Sequence, residues 1–346
     1  MQGMKHRGLC LAGVTATLVL TSAPSAFAGG PVDKGTTTDT DAGLTNNKLY
    51  AAISYDTSKN GSGSSVGPVS VTGSSWTPPA CWFAPSWTAK QFAKETEDGY
   101  KDVTTDPDQP NYAKQATGQY RQKYKDGEYK NYNLDKQDDG MWWGAVENPN
   151  APILERMSCN TTLPFWVENG KTPNVKNAIS PEILAGLAYE QIKVPGTKVT
   201  LAPDGITKVN LRTWAWLDEG KFKPVSVTAS VNAPGLNLQA TTVAKPVSLK
   251  LEPGTQDAET YPASGECAIN DDGSIGEPYA KGKAPLTPPC GVKYLRSSGD
   301  GTFNLQATLT WQVTWTGTGG AGDNLPDGTF GATQDVTVQE IQAVNR

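Results

Sequence analysis

The sequence contains a single histidine, His6, and that residue lies in a segment predicted to be removed. Residues 1–28 have the parts of a secretory signal: a basic start, an apolar run from Gly8 to Leu20, and the small-x-small cleavage site Ala26-Phe27-Ala28. Cleavage after Ala28 would leave a mature chain without histidine. This absence excludes Ser-His-Asp and Cys-His catalytic sets, and it excludes zinc or copper sites that use histidine.

Cysteine is also scarce. Cys10 lies in the apolar run and would leave with the signal, so the mature chain keeps Cys81, Cys159, Cys267 and Cys290. An even number of cysteines in an exported chain favours disulfides, for which three pairings exist. We favour Cys81–Cys159 with Cys267–Cys290, because each pair then lies within one predicted domain. The alternative is a zinc site made of all four, which the wide spacings without a C-x-x-C pair disfavour.

The mature chain has a deficit of positive charge. Removing Lys5 and Arg7 from the 30 basic residues leaves 28 against 35 acidic residues, a net charge of −7. Such a chain is a poor candidate for binding nucleic acid or an anionic membrane surface. It also lacks a second apolar run of about 18 residues, so no transmembrane segment is predicted. We predict a secreted protein, either free or held non-covalently at the cell wall.

The first half of the mature chain reads as a leader followed by a small α+β region. Residues 29–48 are predicted to be a flexible leader, and 49–195 an irregular α+β region. A capping box at Thr88 predicts a helix that stops at Gly99, and Ser180-Pro181-Glu182 predicts the start of a second helix. Residues 106–140, rich in Tyr, Lys, Asp and Gln, are predicted to be the least ordered part after the leader.

From Gly196 onward the apolar residues alternate with polar ones, which is typical of strands. The clearest case runs from Phe303 to Trp315, where seven residues of one face are apolar. About seven such strands separated by Pro/Gly turns predict an antiparallel, Ig-like β-sandwich over 196–346, so the fold is predicted to be mainly β. Trp214 with Trp216, and Trp311 with Trp315, are predicted to be core residues.

Two motifs imitate cofactor sites. Gly317–Gly322 matches G-x-G-x-x-G, but a turn sequence with Pro326 follows where a dinucleotide site needs a helix, so we predict a hairpin or a loop connection. Asp135–Gly140 resembles the start of a calcium loop, yet its twelfth position is Val146 instead of a glutamate. We therefore predict no cofactor and no metal.

Aromatic and basic residues are interleaved between positions 112 and 143. Their rings show no clear period, so burial does not account for all of them, and their lysines are locally dense. Such a patch would suit a cell-wall polymer or another envelope protein. The alternative is that these rings are ordinary core. The predicted binding patch consists of Tyr112, Tyr120, Lys123, Tyr124, Tyr129, Trp142 and Trp143.

Paired carboxylates offer the one catalytic alternative, because glycoside hydrolysis needs no histidine. The candidates are Glu147, after the Trp142-Trp143 pair, and Asp218 with Glu219 at the end of a predicted strand. Acidic residues at strand ends are usually solvated, so we assign no catalytic residue.

Five motifs, taken in order, resemble a family of exported proteins from actinomycete-type Gram-positive bacteria. They are Pro79-Ala80-Cys81-Trp82, Asn210-Leu211-Arg212-Thr213-Trp214-Ala215-Trp216-Leu217-Asp218, Tyr261-Pro262-x-x-Gly265-x-Cys267, Pro289-Cys290-Gly291-Val292-x-Tyr294 and Thr310-Trp311-x-Val313-x-Trp315. The resemblance implies export and a β-rich fold. Members are sometimes labelled enoyl reductase, a label that no nucleotide-binding motif in this sequence supports.

The C-terminal part is also distantly similar to PKD-type Ig-like domains, although it has Lys250–Thr255 where those carry Trp-Asp-x-Gly-Asp-Gly. Together these observations predict a secreted or envelope-associated protein that acts by binding or as a structural surface component. A secreted hydrolase acting on carbohydrate through paired carboxylates is the alternative.

Overall fold

The computed structural model describes residues 53–61, 66–72, 76–217 and 222–341. The predicted signal and leader, together with Asp218 and Glu219, lie outside the described residues. The described part is mainly β, and none of its helices is long and apolar enough to cross a membrane.

The secondary-structure elements are numbered in chain order. The strands are β1 (Ser54–Asp56), β2 (Gly67–Pro68), β3 (Ser70–Val71), β4 (Cys81–Trp87), β5 (Gly140–Glu147), β6 (Phe165–Glu168), β7 (Lys193–Val194), β8 (Thr200–Ala202), β9 (Ile206–Lys208), β10 (Arg212–Leu217), β11 (Val225–Ala233), β12 (Leu236–Glu252), β13 (Ala258–Tyr261), β14 (Glu266–Ala268), β15 (Ile275–Gly276), β16 (Gly291–Tyr294), β17 (Phe303–Gly317) and β18 (Gly322–Gln339). The α-helices are α1 (Ala89–Thr105), α2 (Asn111–Lys125), α3 (Ile153–Arg156) and α4 (Pro181–Glu190). Short 3-10 segments include Asn131–Lys136, Met157–Thr161 and Thr318–Gly320.

The largest sheet has the order β1-β11-β12-β17-β18-β3, with β14 beside β12 and β9 beside β18. All its pairings are antiparallel except that of β9 with β18. Strand β17 shows how the sequence sets its faces, since every second residue from Leu305 to Trp315 is buried. Leu309 lies opposite Leu249 on one side and Phe330 on the other. The strand predicted from Phe303 to Trp315 is confirmed.

A second sheet, of order β13-β16-β10-β15 with β8 beside β10, packs on the first to form the predicted β-sandwich. Cys267 in β14 of the first sheet is bonded to Cys290, next to β16 of the second, with Cα atoms 5.4 Å apart. The other favoured disulfide, Cys81–Cys159, is also present, so the pairing is confirmed. The zinc alternative is thereby wrong.

Trp311 and Trp315 are buried in the main core, as predicted, whereas Trp214 and Trp216 do not belong to that core. Trp214 is buried on the opposite face of its sheet, where Tyr279 and Lys283 lie over the ring. Trp216 is half-buried. The alternation in β10 correctly predicts that Trp214 and Trp216 lie on the same face of the strand. That face is covered by the loop that carries Tyr279 and Lys283, instead of by the other sheet.

The α+β region consists of the sheet β4-β5-β6 with α1 and α2 against it. The capping box at Thr88 and Gln91 is present, but α1 continues through Gly99 to Thr105. A glycine inside a helix costs only about 1 kcal/mol relative to alanine, which the rest of the helix overcomes here. Helix α2 lies in the stretch predicted to be least ordered. Its buried side chains are Thr117 and Tyr124, so it lacks the aliphatic spacing that would have predicted it.

Helix α4 joins the two regions. Its N-cap is Ser180, whose Oγ accepts a hydrogen bond from Ile183 N at 3.3 Å, as predicted. The helix packs on the large sheet, and the Thr242 hydroxyl donates to the Ala185 carbonyl at 2.9 Å. Because β1 and β3 also pair with that sheet, regions 49–195 and 196–346 share one core.

The glycine-rich motif between β17 and β18 forms a hairpin, one of the two predicted connections, whereas the segment around Pro326, predicted to be a turn, belongs to strand β18. The two strands are antiparallel neighbours joined through Thr318–Gly320. Gly319 and Gly320 have φ values of 78° and 76°, which favour glycine. The glycines therefore serve the turn.

Candidate binding groove

Three rings of the predicted binding patch are buried and cannot contact a ligand. Tyr124 and Trp142 have no exposed surface, and Trp143 is 3% exposed. Phe92 of α1 stacks on Trp142 with ring centroids 4.4 Å apart, and Tyr124 meets Phe92 edge-on at 4.8 Å. The prediction is corrected for these rings. Their spacing is irregular because separate elements deliver them to the interior, so no single period could reveal their burial.

The rest of the patch is partly exposed. Tyr112 is 67% exposed, whereas Tyr120 and Tyr129 are half-buried. Lys123 forms an ion pair with Glu128, and its Nζ lies 5.9 Å from the Tyr129 ring centroid. Its charge is thus engaged within the fold.

Glu97 of α1 binds two further basic side chains of this segment, Arg121 and Lys125. Its carboxylate accepts hydrogen bonds from Arg121 and Lys125, each at 2.8 Å, and from the Tyr132 hydroxyl at 2.7 Å. Burial alone would raise the pKa of Glu97, but these donors outweigh it and lower that pKa to about 2. Two of the locally dense basic residues, Arg121 and Lys125, therefore tie α2 to α1.

Glu147, the described member of the carboxylate candidates, is also tied to its surroundings. Its Oε1 accepts a hydrogen bond from Asn160 Nδ2 at 2.8 Å, and its Oε2 lies 3.3 Å from Arg156 Nε. Since it ends β5 opposite Cys81, it fastens the segment 153–162 beside the disulfide. Asp218 and Glu219 lie outside the described residues.

Two adjoining cavities, each of about 420 Å³, form a groove along the Cys81–Cys159 disulfide. Ser158, Val175 and Asn177 line both cavities and so connect them. We call this feature the disulfide groove. One end is lined by Trp76, Pro79, Ile183 and Leu325, and the other by Thr162 and Lys176.

The wall of the groove is fixed by backbone pairing. Phe83 N donates to the Asn177 carbonyl and Ile179 N donates to the Phe83 carbonyl, both at 2.8 Å. Asn177 has a φ of 64°, a left-handed conformation that asparagine tolerates better than most residues. Ser180 then begins α4, which directs Glu182 and Ile183 to the groove. One side of the site is thus built by backbone pairing between distant segments, together with local preferences at Asn177 and Ser180.

The ends of the groove carry opposite charges. Glu182 lies in the first turn of α4 at one end, and Lys176 lies at the other. Both are exposed, and none of the ion pairs between described residues includes either of them. They are therefore available to a charged ligand.

Beside the groove lies a group of exposed aliphatic side chains, which we call the aliphatic patch. The exposed fractions are 59% for Ile153, 84% for Leu154, 46% for Met157 and 46% for Leu163. Met157 precedes the groove residue Ser158, and Leu163 follows the groove residue Thr162. Clustered exposed apolar residues of this kind often mark an interaction site.

Sequence reasoning missed both features. The apolar pair Ile153-Leu154 and the nearby Met157 are visible in the sequence, but nothing in their spacing distinguishes exposed from buried residues. The groove depends on contacts between segments about 80 to 100 residues apart, such as Phe83 with Asn177. The disulfide was the one signal that could have pointed to it.

Among the described residues, no group of three or more His, Cys, Asp or Glu side chains is placed to hold a metal ion. Comparison of the chain with known protein families, with curated proteins and with solved structures finds no match.

Proposed function

We propose that this chain is an exported protein of the cell envelope, free or non-covalently bound to the wall, that binds a partner in the disulfide groove. The observation that carries the proposal is the groove together with the aliphatic patch beside it. A concave site with apolar walls and a few polar groups is the usual form of a binding site.

The same geometry favours binding over the carbohydrate hydrolase. Glu182 is the one carboxylate among the described residues that line the groove. Paired-carboxylate hydrolysis needs two acids about 5–10 Å apart. Glu147, with its partners Arg156 and Asn160, has the arrangement of a structural anchor.

The binding test uses a variant that fills the groove. Ser158 is exposed and lines both cavities, so Ser158→Trp should block them while leaving the core intact. Thr333→Trp is the matched control, because Thr333 is exposed on β18, eight residues beyond Leu325. Purified cell wall and extracted envelope proteins from the source organism are immobilised separately, and retention of the mature chain is measured. We expect Ser158→Trp alone to lose retention, and equal retention of both variants would overturn the groove as the site.

The export part of the proposal has its own measurement. Intact mass of the protein from medium, envelope and cytosol should place a form lacking residues 1–28 outside the cytosol. A chain retaining Met1 and found in the cytosol would contradict export.

A further inference from the structure

We infer that the disulfide groove recognises an aliphatic polypeptide segment of another protein, one that carries a basic side chain, rather than a glycan. This inference rests on the proposed function and specifies its partner. Three observations carry it: the chemistry of the groove and patch, the charges at the ends of the groove, and the overall charge of the chain.

The surface offered to the partner combines a groove of mixed polarity with the exposed side chains of the aliphatic patch. Val175, Ile183 and Leu325 line the groove, and the aliphatic patch continues beside it. Proteins bind sugars by stacking them on flat, exposed aromatic rings. Of the two rings that line the groove, Phe83 is 5% exposed and Trp76 is half-buried, with its centroid 5.2 Å from that of Tyr189, so neither ring is fully exposed. Aliphatic side chains of a partner are the complement that buries the aliphatic patch without leaving the hydroxyl groups of a sugar unpaired.

The charged side chains Glu182 and Lys176 determine which apolar segments of a partner fit the groove. Glu182, exposed at one end of the groove, fits a lysine or arginine of the partner, and Lys176 at the other end fits a carboxylate. A polypeptide can present both charges with aliphatic residues between them. The full chain has a net charge of −5, which steers a basic segment towards it.

The chain's own leader is a poor match for this groove. Of residues 29–48, 14 are Gly, Thr, Asp or Asn, and the aliphatic side chains Val32, Ala42 and Leu44 are separated by polar residues or glycine. A second copy would dock through the aliphatic patch, which is tested separately below.

The experiment selects a phage-displayed library of random 12-residue peptides on the mature wild-type chain and counter-selects it on Ser158→Trp. Surviving peptides are synthesised, and their affinity is measured by fluorescence polarisation. We expect a consensus of Leu, Ile or Val with at least one Lys or Arg. Replacing its aliphatic residues with Ser should weaken binding about tenfold or more.

Matched variants locate the contacts. Leu154→Asp should weaken the selected peptide about tenfold, whereas Leu286→Asp, at an exposed leucine in another loop, should not. Glu182→Lys should weaken the basic peptide and favour its charge-reversed form, with Glu168→Lys as the control. Failure of both Leu154→Asp, in the aliphatic patch, and Glu182→Lys, in the groove, to change affinity would overturn the inference.

The remaining outcomes separate this inference from the proposed function. If chito- or cello-oligosaccharides bind in a manner blocked by Ser158→Trp while no peptide is selected, the groove binds a partner but the polypeptide is wrong. If neither ligand class binds through the groove, the proposed function fails as well. Concentration-dependent dimerisation in sedimentation velocity that Leu154→Asp abolishes would make a second copy the occupant and overturn the inference.

Discussion

Removing each disulfide separately should show that the disulfide that closes the longer loop contributes more to stability. The cysteines are separated by 78 residues in Cys81–Cys159 and by 23 in Cys267–Cys290. The chain-entropy relation gives about 4.5 kcal/mol for the first loop and about 3.4 kcal/mol for the second. All four cysteines are at most 5% exposed, so replacement by alanine removes similar packing at both sites. We therefore expect Cys81→Ala/Cys159→Ala to lower the free energy of unfolding by about 1 kcal/mol more than Cys267→Ala/Cys290→Ala.

Urea unfolding of the mature chain, followed by tryptophan fluorescence without reductant, measures this difference. Wild-type protein unfolded with reductant is the control, and it should lose at least as much stability as either double variant. An equal or larger loss at Cys267–Cys290 would refute the reasoning, because the contribution would then come from local packing between the two sheets. Hydrogen exchange should also rise over residues 153–162 in the first variant, since Cys159 and the contacts of Glu147 hold that segment.

Trp142→Ala should destabilise the chain by about 3–5 kcal/mol, because it empties a fully buried site, while Tyr112→Ala should stay within about 0.5 kcal/mol. Thermal or urea unfolding of the two variants measures this difference. Similar losses of stability would contradict the burial of Trp142. Glu97→Gln should cost about 1 kcal/mol at pH 7, after allowance for solvent screening of a carboxylate that is 36% exposed. Since the folded pKa of Glu97 is lowered to about 2, this advantage of the wild type is present above the ordinary carboxyl pKa and is lost as the pH falls towards 2. The free energies of unfolding of wild type and Glu97→Gln, measured between pH 7 and 2, should converge as the pH falls. A difference that stays constant over this range would contradict the lowered pKa of Glu97.

Local patterns in the sequence predicted the parts of the fold that depend on local physics. The alternation in β17 sets a buried and an exposed face, and Ser180 followed by Pro181 supplies the cap and first turn of α4. The disulfides were predicted from their grouping along the chain. Each of these signals lies within one element or one region.

The rest depended on contacts that no local pattern records. Phe92, Tyr124 and Trp142 come together from three separate elements, so their burial has no period. Trp214 is covered by a loop that arrives about 65 to 70 residues later. The groove combines the disulfide, the segment beside β4 and the start of α4, and its existence follows only from their packing.

The pairing of early strands with strands far along the chain has a consequence for the order in which the chain folds. Ser54 in β1 meets Ser230, 176 residues further along, and Thr72 bonds to Asp327, 255 residues further along. Helix α4 likewise precedes β11, β12 and β17, the strands on which it packs. When the chain emerges from its N-terminus first, by synthesis or by passage across a membrane, its first half appears before the strands with which it pairs. Until those strands emerge, the backbone groups of β1 and β3 are unpaired and the apolar face of α4 is exposed. A factor that shields the early segment until residue 339 has emerged would therefore raise the yield of folded protein without touching the finished molecule.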